Sequence, residues 1–153
     1  MKKRVNDCNV YYTIMWSPVF PYDKYHATRI LPELAGVICL MEKNSVGVPK
    51  CLLFYSCWRD GLRMGIKNLF DPIFSKIPDI REMLIGRNLL YKYTVIDTTP
   101  VDMKDIMYWL ILSYRPEFNN YKGFKESGRY EKIYVRQMEM GNDDLIEKFP
   151  IYL

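Results

Sequence analysis

The sequence predicts an α/β domain of the α+β type, a small, mainly antiparallel sheet flanked by helices. Three observations carry that expectation. The chain has 153 residues, 49% of them hydrophobic and 15% aromatic, enough to bury a core without metal or disulfide staples. Short apolar runs bounded by turn formers alternate with segments whose apolar residues recur at helical spacing. The order of these segments is strand, strand, helix, short helix, strand, helix, which layers helices on a sheet.

Each element has its own local reason. Val10 to Trp16 has strand composition and stops at Ser17-Pro18, and further prolines make the arm spanning 1–30 irregular. Leu34 to Met41 is an apolar run suited to a buried strand, Glu42 to Lys50 is rich in turn formers, and Cys51 to Cys57 is the hairpin partner. Asp60 is placed to cap a helix whose stripe is Leu62, Ile66, Leu69 and Phe70, ended by Asp71-Pro72. A second short helix begins at Asp79 as cap and stops at Gly86. Leu89 to Ile96 is the clearest later strand. Thr99-Pro100 opens the strongest helix, with a preferred N-cap, proline at the first helical position, and Asp102 and Asp105 near the positive end of the dipole. Its inner face is Met103, Ile106, Met107, Leu110, Ile111 and Tyr114, and Pro116 closes it. Lys122 to Arg136 reads as a loop leading to a strand at 132–136, and the tail Asp143 to Pro150 as one helical turn. The domain is single over 1–153, with a core at 31–120 between the arm and a C-terminal extension, 121–153.

Bulk properties exclude several function classes. The formal charge of +4 is mild, short of a strongly electrostatic polyanion binder. Met1-Lys2-Lys3-Arg4 is followed by Val5-Asn6-Asp7-Cys8-Asn9 rather than an apolar run, so no signal peptide is read. No stretch reaches the roughly 20 apolar residues of a spanning helix. A cytoplasmic protein with no membrane association is therefore expected. Cys8, Cys39, Cys51 and Cys57 form no Cys-x-x-Cys pair and have only His26 to join them. They read as core thiols, with no metal site and no cofactor. His26 reads as a structural or surface histidine.

The ordered set of motifs resembles the GIY-YIG nuclease domain over residues 31–120. Gly36-Val37-Ile38 stands at the first motif, and Leu53-Phe54-Tyr55-Ser56 lies at the second. Leu62 to Ile66 falls on the family's arginine helix. Leu110-Ile111, Pro116, Phe118 and Asn119 match the ending of its glutamate helix at the right spacing. The resemblance implies a nuclease frame with a divalent cation held by glutamate, a phosphate steadied by arginine, and tyrosines positioning the attacking water.

This chain departs from that pattern at every catalytic position. Ile38 replaces the first tyrosine, Phe54 (or Leu53, by a one-residue register) the second, Gly65 the arginine and Met107 the glutamate. A thioether is a poor ligand for magnesium, glycine has no donor for phosphate, and an alkyl or phenyl group cannot orient water. Removing one such group typically costs a few kcal/mol of transition-state stabilisation. The expected site is therefore a binding surface with no catalytic residue. Pro116, Phe118 and Asn119 become scaffold that pins the helix exit to the sheet.

Two ligand classes follow. Between Lys50 and Lys92 the chain has eight basic residues against four acids, with aromatics interspersed. Phosphate contact and base stacking then fall to Arg59, Arg63, Lys67, Tyr55 and Trp58, with DNA or RNA as partner. The alternative is an ordinary solvated face with core aromatics. A protein partner is the second class, through Trp16, Phe20, Tyr22 and Tyr25 of the arm. Relocated catalysis through Arg59 or Glu42 is a third, lesser expectation.

Overall fold

The computed structural model describes residues 1–120, 122–140, 142–146 and 151–152. In chain order the elements begin with β1 (Lys2–Asn6), β2 (Asn9–Trp16), β3 (Phe20–Pro21) and α1 (Lys24–Ile30). The hairpin β4 (Gly36–Lys43) and β5 (Pro49–Cys57) follows, then α2 (Gly61–Phe70), α3 (Pro78–Leu84), β6 (Leu89–Val95) and α4 (Pro100–Tyr114). The chain continues through β7 (Lys132–Glu139), β8 (Asn142–Ile146) and β9 (Ile151–Tyr152). The α+β architecture and the mainly antiparallel sheet stand as expected. Among the described residues only β2 and β7 run parallel.

The sheet is larger than the sequence suggests. Among the described residues nine strands join in one sheet, with the path β5-β4-β6-β2-β7-β8, while β1 pairs β2, β3 pairs β6 and β9 pairs β7. The arm is thus no irregular appendage. Its β2 sits mid-sheet because Val10, Tyr12, Ile14 and Trp16 alternate inward, each fully buried. The extension supplies β7 as the parallel neighbour of β2. The tail also differs from expectation: Asn142–Ile146 is strand, not a helical turn, because it pairs with β7. The rest of that expected turn, 147–150, lies outside the described residues.

Two cores lie on opposite faces of this sheet. One gathers the inward residues of β2, β4 and β7 beneath α4, with Met103, Met107, Trp109 and Leu110. The other holds Ile38, Leu40, Leu52 and Tyr91 against Ala27 of α1, Leu62 and Ile66 of α2 and Leu84 of α3. The expected inward stripes of α2 and α4 are buried except at their last residues, Phe70 and Tyr114, which are half-buried.

The helix starts repay closer reading. Thr99 caps α4 as expected, its hydroxyl accepting from the Asp102 amide at 3.2 Å with Pro100 in the first turn. Asp60 does not cap α2 with its side chain. The reason is the loop before β4: the amides of Leu62 and Arg63 donate to the carbonyls of Leu34 and Pro32, so these two orphan donors are already satisfied. Asp60 turns instead to Lys76, 3.7 Å away. Likewise Asp79 lies inside the first turn of α3, which starts at Pro78 after Ile77. Of the cysteines, Cys39 and Cys57 are buried, but Cys8 is exposed, unlike the core thiol expected there.

Candidate functional site

The hairpin register decides which side chains can meet. Ile38 lies opposite Tyr55, Val37 opposite Ser56 and Gly36 opposite Cys57. Residues directly opposite share a face, so Tyr55 stands on the α2 side with Ile38. Phe54 points the other way, packing on Trp16 and Tyr114 at 6.2 and 5.6 Å between ring centroids. Met107 is 7% exposed in the same α4-side core as Phe54. The four positions read as emptied catalytic places therefore divide two and two across the sheet. Ile38 and Gly65 belong to one face and Phe54 and Met107 to the other, so they do not form a common hollow.

Gly65 has a packing reason of its own. A Cβ built there would sit 2.3 Å from the Sγ and 2.9 Å from the Cβ of Cys57. The helix α2 approaches the end of β5 so closely that only glycine fits. No arginine can occupy this place while Cys57 stays where it is.

The end of β5 and α2 enclose an open pocket of about 170 Å³. Tyr55, Trp58 and Arg59 line it from the strand end and its turn, Gly65 and Asn68 from the helix, and Lys76 from beyond the helix. Three of the five expected binding residues are thus brought together. Trp58 is 41% exposed, and its indole N–H donates to the Thr98 carbonyl at 3.3 Å, which steadies the ring. Arg59 is exposed and has no hydrogen bond or ion pair among the described residues.

The other two do not join them. Arg63 donates to the Leu31 carbonyl at 2.9 Å and to Glu33 at 3.2 Å, a strut between α2 and the loop before β4. Lys67 is exposed on α2 outside the pocket. Most of the basic run is similarly engaged. Lys50 pairs with Glu117 at 2.9 Å, Arg87 with Glu42 at 3.6 Å, and Lys92 lies 4.8 Å over Trp16. The sequence count of cations overstated the free positive charge.

Chemically the pocket is quiet. Burial pushes the Cys57 thiol up to about 12, with the Asp60 charge adding to the effect, and burial also raises the Tyr55 phenol. Neither offers an anionic nucleophile at neutral pH. Asp60 is the carboxylate at its wall, and it faces Lys76. Among the described residues no group of three or more His, Cys, Asp or Glu side chains could hold a metal. His26 serves structure, its Nδ1 lying 3.2 Å from the Tyr91 hydroxyl.

Sequence reasoning missed the densest polar cluster. Asp102 and Asp105 are buried, not surface complements of the helix dipole. Asp102 accepts from Lys3, Tyr12, Thr98 and Arg129 at 2.6–2.8 Å. Asp105 accepts from the Ser127 amide and hydroxyl and from Arg129. Burial alone would raise the Asp102 carboxyl, but these hydrogen bonds outweigh it and hold it well below the usual carboxylate range. Apart from Thr98, the donors come from β1, β2 and the segment before β7, far away in the chain, so no local pattern announced them. The cluster ties three parts of the fold to the start of α4.

No helix among the described residues is long and apolar enough to cross a membrane. No curated protein and no solved structure shows a significant match to this chain. A family model described as "Uncharacterised protein" matches residues 1–151, and the chain belongs to that family.

Proposed function

We propose that the protein is a non-catalytic binding module with nucleic acid as its ligand, built on a frame like that of the GIY-YIG nucleases. One observation carries this reading. Tyr55, Trp58 and Arg59, which has no ion pair among the described residues, converge with Lys76 on one open pocket, while the chemistry-bearing places beside it hold Ile38 and Gly65. Ring faces beside a free guanidinium suit base stacking with phosphate contact. The pocket is smaller than the roughly 300–1,000 Å³ of whole-ligand sites, which fits a segment of a polymer better than a complete cofactor. The central place of β4 between β5 and β6, and the order of α2, α3, β6 and α4 after the hairpin, support the likeness of frame.

Two other readings have less support. Trp16 is fully buried, and Phe20 and Tyr22 pack on Tyr91 and Phe70. Of the four aromatics expected to meet a protein partner, only Tyr25, 75% exposed, stands out. Relocated catalysis would need Glu42 near Arg59, yet Glu42 is engaged with Arg87. The test is a cleavage assay on single- and double-stranded DNA and RNA with magnesium and with manganese, beside a salt titration of binding. The expected result is no cleavage, with salt-sensitive binding weakened in Trp58→Ala and Arg59→Glu. Metal-dependent cleavage that persists in the purified protein, or binding unaffected by both substitutions, would overturn the reading.

A further inference from the structure

The helices do not cover the whole sheet. On the face opposite α4, α1, α2 and α3 pack over β4, β5 and β6. Among the described residues the same face of β1, β2 and β7 has no helix on it. Its composition follows from the strand registers. Lys2 lies opposite Thr13 and Arg4 opposite Tyr11, while Tyr11 lies beside Tyr134 and Thr13 beside Arg136. Lys132 and Met138 stand at the two ends of β7 on the same face, since they share parity with Tyr134. The opposite parity, Tyr12, Ile14, Ile133 and Val135, faces α4 and is buried.

Two features set this bare face apart from an ordinary solvated one. First, its charges are all of one sign: Lys2, Arg4, Lys132 and Arg136 lie on it, and no acid occupies any position of that parity in the three strands. Soluble surfaces normally intersperse both signs. Second, planar groups are already aligned across the strands. The Tyr11 and Tyr134 rings stack at 4.7 Å with 8° between their planes, and the Arg4 guanidinium lies 4.8 Å over the other side of the Tyr11 system. Among the described residues Tyr134 stacks on no ring but Tyr11. The row Arg4, Tyr11, Tyr134 is therefore a short stack of planes that, among the described residues, ends at Tyr134.

We propose that the bare face of β1, β2 and β7 is a platform for single-stranded nucleic acid. Unpaired bases extend the stack at Tyr134 and phosphates meet Arg4, Arg136 and Lys2. An all-basic rim recognises a polyanion, and stacked phenols recognise exposed base faces, which a duplex keeps inside its own stack. The ligand class is that of the pocket reading, but the residues are different ones, so the two readings stand or fall separately.

The test is fluorescence anisotropy with a labelled single-stranded oligonucleotide, against the matching duplex and polyglutamate, for the whole protein. Three released counterions, at Lys2, Arg4 and Arg136, predict that a fourfold rise in salt weakens single-strand binding by about 20-fold. Tyr134→Ala should weaken it by about tenfold or more, and Arg4→Glu with Arg136→Glu should abolish it. Arg136 is exposed, so its charge reversal does not endanger folding, and circular dichroism checks the tyrosine variant. Loss of binding in these variants but retention in Trp58→Ala and Arg59→Glu would place the single strand on the sheet and reject the pocket. The converse pattern would overturn the platform and leave the pocket reading intact. Losses in both sets would support both surfaces. Absence of single-strand binding, or equal sheet-dependent binding of polyglutamate, would overturn the platform.

Discussion

Asn119 clasps the outer edge of β5 through Phe54 as a neighbouring strand would. Its Oδ1 accepts from the Phe54 amide at 2.7 Å and its Nδ2 donates to the Phe54 carbonyl at 2.9 Å. One residue earlier, the Phe118 amide donates to the Leu52 carbonyl at 2.9 Å. An edge strand with unmet amides invites pairing with another chain. Here the loop after α4 closes that edge and fixes the helix end to the hairpin.

Replacing that clasp should therefore cost stability. Asn119→Ala removes two hydrogen bonds and is expected to lower the unfolding free energy by about 2 kcal/mol. Urea unfolding would show a lower midpoint at unchanged slope. An unmoved midpoint would mean that water replaces the amide without loss.

The fit of α2 on β5 makes a second prediction. Gly65→Ala forces a methyl against Cys57 and should destabilise by about 1–3 kcal/mol. Trimming the neighbour with Cys57→Ala in the same protein removes the closest clash, the 2.3 Å approach to Sγ. The double variant should then be more stable than the two single effects added together. Strict additivity of the two effects would show that the clash is relieved by movement of the helix.

The acid cluster at α4 sets a pH dependence whose sign follows from its shift. The Asp102 carboxyl is held below its usual range in the folded protein, so its contribution is complete above the unfolded value of about 3.9. It fades as pH falls below about 4 toward the folded value. Wild-type stability should drop steeply in that window, and Asp102→Asn should flatten the drop while lowering stability at neutral pH. Urea midpoints measured from pH 7 down to pH 2.5 compare the two proteins. Equal slopes would remove Asp102 as the cause.

Arg129 is the partner shared by both buried acids, at 2.8 Å from Asp102 and 2.9 Å from Asp105. Arg129→Gln should cost about 3 kcal/mol, the low end for a broken buried pair, because its side chain stays 34% exposed. Thermal or urea unfolding reads this directly. A change under about 0.5 kcal/mol would class the contact with surface pairs.

Thiol reactivity tests the burial pattern. Cys8 is exposed, Cys51 half-buried, and Cys39 and Cys57 buried. At mildly alkaline pH a disulfide reagent should modify Cys8 fast and Cys51 more slowly. Cys57, held at about 12, and Cys39, raised well above its ordinary value by its hydrogen bond to Cys51 and by burial, should react only on unfolding. Rapid modification of all four would contradict the packing around the hairpin.

The sequence alone determined the elements whose cause is local. The Thr99-Pro100 start, the stripe Leu62, Ile66 and Leu69, a hairpin turn within 42–50 and the Pro116 stop each lie within one window of the chain. Caps, periodicity and turn chemistry act over a few residues. The pinning of the helix exit by Phe118 and Asn119 was expected from the resemblance of the 110–119 ending to that of the GIY-YIG family, and both residues do bond the edge of β5. What only the tertiary structure decided are relations between distant segments. Asn9 pairs with Lys132, Asp102 meets Lys3 and Arg129, and Gly65 exists because Cys57 is there. Tyr55 rather than Phe54 faces α2 because a strand turns each successive side chain over, and a register one residue away reverses the choice. Burial of a charge and approach of a helix are set by what packs from elsewhere, and no neighbour in the chain encodes it.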